Sequence, residues 1–328
     1  IQVGVPKQLV IAQFDAQKYK VDLPSIPLTV VCNPQIAWQS KEKIKLEEGC
    51  LSFPGLELPI TRPKGVEIIG QDIAGKKIKI KDEGLLSRIL QHEIDHLEGI
   101  IFSQKVKPKD LRVVFMGTPQ YSIPTLETIK QLGYNLVLVV TETDKPKGRR
   151  NQLVAPPVKL WAIQNKIPVY QPETLKNPQS LVPIENAHPH LIILVSYGKI
   201  LPAQLLAMPA LGALNLHGSL LPKLRGASPI QTALLQGEKK TGVSLMIMNE
   251  KMDEGEILAT HQITIKPKED ARSLAKSLSQ LSAQLLKETL SKYLSGEITP
   301  QKQDHKKATY TKLLKKEDGE IDFTKSTQ

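Results

Sequence analysis

The sequence predicts two domains of different fold class, an α+β domain followed by an α/β domain. Residues 1–103 contain short strand-length apolar runs and then one strong helical pattern, whereas from residue 111 onward such runs alternate with helical stretches. A polar, proline-containing segment lies between the two patterns and reads as a linker. We therefore expect a first domain at 1–104, a linker at 105–110 and a second domain at 111–298.

The elements of the first domain follow from residue type and apolar spacing. Four runs have the length and composition of strands: Leu9–Phe14, Leu28–Asn33, Gly65–Asp72 and Lys76–Lys81. One helix is predicted near Leu85–Glu98, because its apolar residues recur at helical spacing. These elements are typical of an α+β domain.

The second domain alternates strands with helices. The predicted strands are Arg112–Met116, Leu136–Thr141, Leu191–Ser196, Ala213–Leu216 and Val243–Met248. The predicted helices include Thr125–Leu132, Val158–Asn165, Pro229–Gln236 and a long one with the stripe Leu274, Leu278, Leu281 and Leu285. Alternation implies a mostly parallel sheet with helices on both faces, a Rossmann-like arrangement. Residues 299–328 read as a linker and the start of a truncated C-terminal domain.

The net charge, the number of cysteines and the length of the apolar runs limit the classes of protein that fit this sequence. The net charge is +11, of which +2 lies in residues 1–110 and +9 in residues 111–328. The basic second part indicates either an anionic partner such as nucleic acid or a lysine-rich solvated surface. Two cysteines make a disulfide framework unlikely to be the basis of the fold, and a reducing, bacterial cytoplasmic setting is expected. We expect no membrane span, because no apolar run reaches the ~18 residues that one needs. The first residue is Ile1, and we expect the chain to be a fragment.

A candidate metal site lies on the predicted helix. The pattern His-Glu-x-x-His occurs at 92–96, and residues four apart share one helical face, so His92 and His96 can bind the same ion. Cys50, on an extended stretch upstream, is the candidate third ligand. Three protein ligands leave one position for water, which is typical of a catalytic site, and Glu93 is then the proton-transferring carboxylate.

Other metal sites fit less well. A metzincin protease would carry a third histidine where this chain has Phe102. A structural metal in a non-enzymatic tRNA-binding module would need a fourth protein ligand, and none is evident. A general metalloprotease remains the alternative on these residues alone.

Two motifs in the first domain resemble those of peptide deformylase. They are Glu-Gly-Cys-Leu-Ser at 48–52 and Gln-His-Glu-Ile-Asp-His at 91–96, and the start of the chain resembles the end of a third, glycine-rich motif. The resemblance implies hydrolysis of the formyl group from nascent N-formylmethionyl peptides, with the ribosome as the expected location. The metal it implies is Fe²⁺, with Zn²⁺ or Ni²⁺ able to substitute. It also implies that the Gln2 amide and the Leu51 backbone N–H hold the oxyanion, and that Arg62 contacts the peptide backbone.

A second constellation follows a strand of the α/β domain. Asn215 and His217 lie two residues apart on a predicted strand, so their side chains point to the same side, and Asp253 follows a later strand. Ligands of open α/β sheets bind outside the carboxyl ends of the strands. An Asn can donate to a developing oxyanion, a His can transfer a proton, and an Asp can orient the imidazole.

This constellation resembles the folate-dependent formyltransferases. The block Asn-x-His-x-Ser-Leu-Leu-Pro at 215–222 and the later Asp-x-Gly carry the resemblance, which makes Asn215, His217 and Asp253 the catalytic set. It implies 10-formyltetrahydrofolate as the formyl donor, bound by Ser219, Leu220, Leu221 and Pro222. Segments 114–119 and 144–151 resemble methionyl-tRNA formyltransferase in particular, which implies initiator methionyl-tRNA as acceptor and tRNA contacts from Lys145, Lys147, Arg149 and Arg150.

Two alternatives stay open for the second domain and for the chain as a whole. A glycinamide-ribonucleotide or sugar-nucleotide formyltransferase shares the Asn, His and Asp residues but would lack the basic loop at 144–151. A dinucleotide-binding oxidoreductase is excluded by the missing Gly-x-Gly-x-x-Gly pattern. A natural fusion of neighbouring genes and an artefactual joining of them would give the same sequence. We expect a bifunctional monomer.

Overall fold

The protein folds into two compact units, residues 1–107 and residues 108–328. The computed structural model describes residues 7–20, 22–51, 53–147 and 151–320. The division after Lys107 falls inside the segment 105–110 that the sequence indicates as a linker.

The first unit contains a four-stranded antiparallel sheet, a separate two-stranded hairpin and one main helix. Its strands are β1 (Leu9–Phe14), β2 (Ile26–Gln39), β3 (Lys43–Cys50), β4 (Phe53–Pro63), β5 (Val66–Gln71) and β6 (Lys77–Asp82), and its helices are α1 (Ala16–Tyr19) and α2 (Leu85–Leu97). The sheet order is β1-β2-β5-β6, and β3 pairs with β4. The α2 helix covers the sheet through a core of Val10, Val31, Val66, Ile68, Leu90 and Ile94.

The predicted strands and helix of this unit are present, but the β3–β4 hairpin is an addition. It brings Cys50, the last residue of β3, to the face of α2 that carries the two histidines. The Asp82 carboxylate accepts hydrogen bonds from the N–H groups of Gly84 and Ser87, each at 2.7 Å, and so fixes the start of α2.

The second unit is built on a seven-stranded sheet with helices on both faces, a Rossmann-like fold. Its strands are β7 (Arg112–Gly117), β8 (Asn135–Val140), β9 (Lys145–Lys147), β10 (Gln152–Val154), β11 (Val169–Tyr170), β12 (Leu191–Val195), β13 (Ala213–His217), β14 (Arg225–Gly226), β15 (Lys240–Ile247), β16 (Ile257–Thr264) and β17 (Tyr310–Thr311). Its helices are α3 (Ile123–Gln131), α4 (Pro157–Gln164), α5 (Val182–Glu185), α6 (Ala203–Leu206), α7 (Pro229–Leu235) and α8 (Ala271–Leu294).

The order of the large sheet is β11-β8-β7-β12-β13-β15-β16. The strands from β11 to β13 are parallel, and β15 and β16 continue the sheet in antiparallel pairing. The α8 helix packs on α3, β15 and β16, and in the predicted leucine stripe Leu274, Leu278 and Leu285 are buried and Leu281 is half-buried. The large sheet places the carboxyl end of β13 near its centre, where a ligand site of this fold class is expected.

Residues 301–311 are part of the second unit rather than the linker that the sequence suggested. Strand β17 pairs in parallel with β14, and Gln303 is buried. The segment is polar and has weak periodicity, so its buried hydrogen bonds are invisible in the sequence pattern. Among the described residues, no helix is both long enough and apolar enough to cross a membrane.

Candidate active sites

Three potential ligands converge in the first unit. The Cys50 Sγ lies 3.2 Å from His96 Nε2, which lies 3.1 Å from His92 Nε2. The three ligand atoms all fall within 4.8 Å of one another, and Cys50 is buried while both histidines are half-buried. The predicted ligand set is therefore brought together by the hairpin and one face of α2.

This donor set fits a tetrahedral divalent metal. Two nitrogens bound at about 2.0–2.1 Å to one tetrahedral ion lie about 3.3 Å apart, close to the separation of the two imidazole nitrogens. A thiolate and two imidazoles suit Zn²⁺ or Fe²⁺ better than a hard ion such as Mg²⁺. Three side chains leave one coordination position for water.

Glu48 orients His92 from the side away from the ligand cluster. Its Oε2 lies 3.2 Å from His92 Nδ1, so Nε2 of that ring faces the other two ligands. Burial raises the pKa of Glu48, but hydrogen bonds from His92 and Arg62 and the charges of Arg62 and Arg88 outweigh it and lower the pKa to about 2. The group is therefore a carboxylate at neutral pH, as a partner of a metal-bound histidine commonly is.

Arg62 has a different position from the predicted one. Its side chain is 2% exposed, with Nε 2.7 Å from Glu48 Oε1 and Nη1 2.6 Å from Asp95 Oδ2. Asp95 is also paired with Lys105 at 2.6 Å. This buried network engages the guanidinium, so its position does not support the predicted contact with a peptide backbone. Arg62 instead holds Glu48 behind the metal ligands.

The other predicted residues of this site are placed as follows. Glu93 follows His92 on α2 and is half-buried, and burial raises its pKa although the nearby His92 opposes the shift. Leu51 directly follows Cys50 and is 84% exposed, at the edge of the ligand cluster. Gln2 lies outside the described residues.

In the second unit, Asn215, His217 and Asp253 meet beyond β13. Asn215 Nδ2 lies 3.4 Å from Asp253 Oδ1, and His217 Nδ1 lies 3.6 Å from Asp253 Oδ2. His217 Nε2 lies 2.8 Å from the Leu224 carbonyl, which can only accept, so Nε2 carries a proton. The other ring nitrogen, Nδ1, then faces the Asp253 carboxylate.

The proposed folate-binding segment is a tight loop after β13. The Ser219 hydroxyl donates to the Lys223 carbonyl at 2.6 Å, and the Ser244 hydroxyl accepts from the Leu221 N–H at 3.0 Å. Ser219 and Leu221 are buried, whereas Leu220 and Pro222 are half-buried. The loop is thus fixed beside the catalytic trio by β15.

Strands β9 and β10, which lie at either end of the basic loop, pair antiparallel. Lys145 is exposed, and its Nζ pairs with Glu142 at 2.9 Å. The side chain of Lys147 is not described, and Arg149 and Arg150 lie outside the described residues. The predicted tRNA contacts of this loop remain predictions.

Sequence reasoning missed the residues that support these sites. Glu48 stands two residues before Cys50 on β3, and that period-two spacing was a signal that both point to one side. The sequence also did not predict a role for Arg225, Gln303 and Tyr310. No local pattern marks them, because their contacts join distant parts of the chain.

Comparison with known proteins relates the two parts of the chain to two families. The family model described as formyl transferase matches residues 111–290. Methionyl-tRNA formyltransferases of Citrifermentans bemidjiense and Geobacter sulfurreducens are 44% identical over 218 residues and 45% identical over 215 residues. Each match covers 66% of this chain, and 69% and 68% of the respective relative.

The chain belongs to the methionyl-tRNA formyltransferase family.

The part before this family's match has a second relationship. The polypeptide deformylase model matches residues 1–112. The structure of a plant peptide deformylase is 35% identical over 33% of this chain and 56% of that chain, with a TM-score of 0.30. A chain of the methionyl-tRNA formyltransferase family thus also carries a deformylase-family part, and both are enzyme families.

Proposed function

We propose that the protein has two formyl-group activities. The first unit removes formyl from N-formylmethionyl peptides with a bound divalent metal, with Fe²⁺ favoured and Zn²⁺ or Ni²⁺ able to serve. The second transfers formyl from 10-formyltetrahydrofolate to initiator methionyl-tRNA. The convergence of Asn215, His217 and Asp253 carries the transferase assignment, and the Cys50, His92 and His96 cluster carries the deformylase assignment.

The residues of the first unit suit hydrolysis. Cys50, His92 and His96 would hold a divalent metal, which when bound would supply activation of water and polarisation of the formyl carbonyl. Glu93 takes a proton from water and delivers it to the leaving amine. Its pKa is raised toward neutral pH by burial, and proton transfer is efficient when the pKa lies near the working pH. The Leu51 N–H and the Gln2 amide are the proposed oxyanion donors.

The residues of the second unit suit acyl transfer. One N–H of the Asn215 amide faces Asp253, and the other is available to the formyl oxygen as charge develops on it. The attacking amine forms a bond to the formyl carbon, the bond from that carbon to the folate nitrogen breaks, and the amine loses a proton as the folate nitrogen gains one. His217 accepts the proton of the amine while Asp253 faces the charged ring, and the ring then passes the proton to the leaving folate nitrogen.

Reciprocal variants of the full chain test both assignments. We expect Glu93→Ala to lower deformylation of an N-formylmethionyl tripeptide by roughly 10²–10⁴-fold, because a general base is removed. We expect Asn215→Ala to lower formyl transfer to methionyl-tRNA by roughly 10²–10³-fold, because an oxyanion donor is removed. Each variant should leave the other activity unchanged, so each is the folding control for the other.

Specific results would contradict the proposal. Full deformylation by Glu93→Ala, with metal content equal to the parent, would refute the role of Glu93. Transfer to glycinamide ribonucleotide or an amino sugar nucleotide but not to methionyl-tRNA would refute the proposed acceptor.

A further inference from the structure

The loop that carries Asp253 lies between β15 and β16 in a constrained conformation. Asp253 has a φ of 52°, in the left-handed region, and its Oδ2 accepts from the Gly226 N–H at 2.8 Å. A Cβ on Gly255 would lie 1.7 Å from the Ile247 carbonyl oxygen, so the loop backbone presses against the end of β15. The position of the catalytic carboxylate therefore depends on how this backbone is held.

Gln303 holds that backbone from the segment that follows α8. Its side-chain amide donates to the carbonyls of Asp253 and Gly255 at 2.8 and 2.7 Å, and the side chain is buried. Its Oε1 accepts from Nε and Nη2 of Arg225 at 3.2 and 2.7 Å. Because carbonyls only accept and a guanidinium only donates, this orientation of the amide is the one that satisfies all four contacts.

Arg225 links Gln303 to Tyr310 and Glu254. It is 0% exposed, and its Nη1 lies 3.1 Å from the Tyr310 hydroxyl and 3.2 Å from Glu254 Oε1. The residues on either side of Arg225 contact the proposed trio. The Leu224 carbonyl lies against His217 Nε2, and the Gly226 N–H donates to the Asp253 carboxylate. One buried Arg–Gln pair thus joins both stretches that contact the catalytic imidazole and carboxylate.

We propose that Gln303 is a positioning residue for formyl transfer, acting through Asp253, and that residues 301–311 are part of the transferase site. The inference rests on the proposed function of that site. The segment follows the 111–290 match to the formyl transferase model, so that model does not include it. Without the Gln303 amide, two buried carbonyls lose their donors and the loop is free to turn the carboxylate away from His217.

The test is formyl transfer by the full chain with Gln303→Leu, which keeps the size of the side chain and removes its polar groups. We expect kcat to fall roughly 10–100-fold, because a displacement of about 1 Å can cost that much, while KM for methionyl-tRNA changes less than about twofold. Gln280→Leu is the matched control, since Gln280 is exposed on α8 and lies outside the 301–311 segment, and it should keep the parent kcat.

A double-mutant cycle separates positioning from general stabilisation. Asp253→Asn alone should lower kcat, and adding Gln303→Leu should lower it no further, because Gln303 acts through Asp253. Gln303→Glu keeps the acceptor for Arg225 but places an oxygen against the two carbonyls, so it should fold and still lose kcat.

The outcomes are distinguishable. Parent-level kcat in both Gln303 variants, or a further loss in the Asp253→Asn background, overturns the positioning role while the proposed function stands. A parent chain that does not transfer formyl to methionyl-tRNA overturns the proposed function and this inference together.

Discussion

Neither Glu48 nor Gln303 is one of the proposed reacting groups. Each instead contacts a residue or a loop of one of the two proposed sites. Glu48 contacts the imidazole of the candidate metal ligand His92, and Gln303 donates to the backbone of the loop that carries Asp253. The reacting residues could be predicted because their spacing in the sequence is itself chemical information. The supporting residues could not, since Gln303 and Asp253 are 50 positions apart. Arg62 is the opposite case. The resemblance implied a contact with the peptide, whereas its side chain is buried between Glu48 and Asp95.

Replacing Glu48 tests the support of the metal site. We expect Glu48→Gln to weaken metal affinity roughly 10–100-fold, because the carboxylate that orients His92 and raises its basicity is lost. The measurement is competition for Zn²⁺ against a chromophoric chelator.

The neighbouring Glu47→Gln is the matched control, since Glu47 is exposed on the opposite side of β3. Equal affinities of the two variants, both folded by circular dichroism, would show that Glu48 has no role in metal binding.

At the scale of elements, strands with strong apolar runs were predictable and hairpins with mixed composition were not. The buried strands β7 and β12 consist almost entirely of apolar residues. By contrast, β4 contains Pro54, Pro59 and Pro63, which argue against a strand in a sequence. They are tolerated because β4 has one partner strand, and its other edge needs no ladder hydrogen bonds.

The ends of β7 and β12 are joined by a buried histidine, which makes the second unit sensitive to acid. His190 Nδ1 accepts from the Arg112 N–H at 3.0 Å. Burial and the Arg112 charge lower the pKa of His190 from 6.5 to about 4. Between these values the unfolded chain binds a proton that the folded unit does not. The free energy of unfolding should therefore decrease as pH falls through this window, by up to about 1.4 kcal/mol per pH unit.

The measurement is guanidinium unfolding of the full chain between pH 7 and 4.5. The two tryptophans lie in different units, so a Trp38→Phe background leaves Trp161 to report on the second. His190→Asn should flatten the pH slope, whereas His188→Asn, at an exposed position with a φ of 45° that Asn adopts readily, should keep it. Identical slopes in all three chains would contradict the assignment.

At the scale of the whole molecule, each unit contains its own chemistry. The candidate metal ligands all come from residues 1–107, and the proposed transferase trio comes from residues 108–328. The sequence was sufficient to predict this division because two unrelated sets of motifs lie on either side of a polar segment. It could not predict that residues 301–311 complete the second unit.

Metal removal should therefore separate the two activities. We expect 1,10-phenanthroline to abolish deformylation and to leave formyl transfer to methionyl-tRNA at its original rate. Both rates are measured on one preparation, and added Zn²⁺ or Fe²⁺ should restore the first. Loss of both activities on chelation, with recovery of both on metal addition, would contradict the independence of the sites.

The Cys50–His96 contact also joins two positions that are far apart along the chain. The two residues are 46 positions apart, and both cysteines of the chain are free thiols. An ion shared by the hairpin and α2 closes a large loop, much as a covalent cross-link would, and it removes disordered conformations from the unfolded ensemble. In a chain that has no disulfide, the supply of metal in the cell would then determine the lifetime of the first unit as well as its activity.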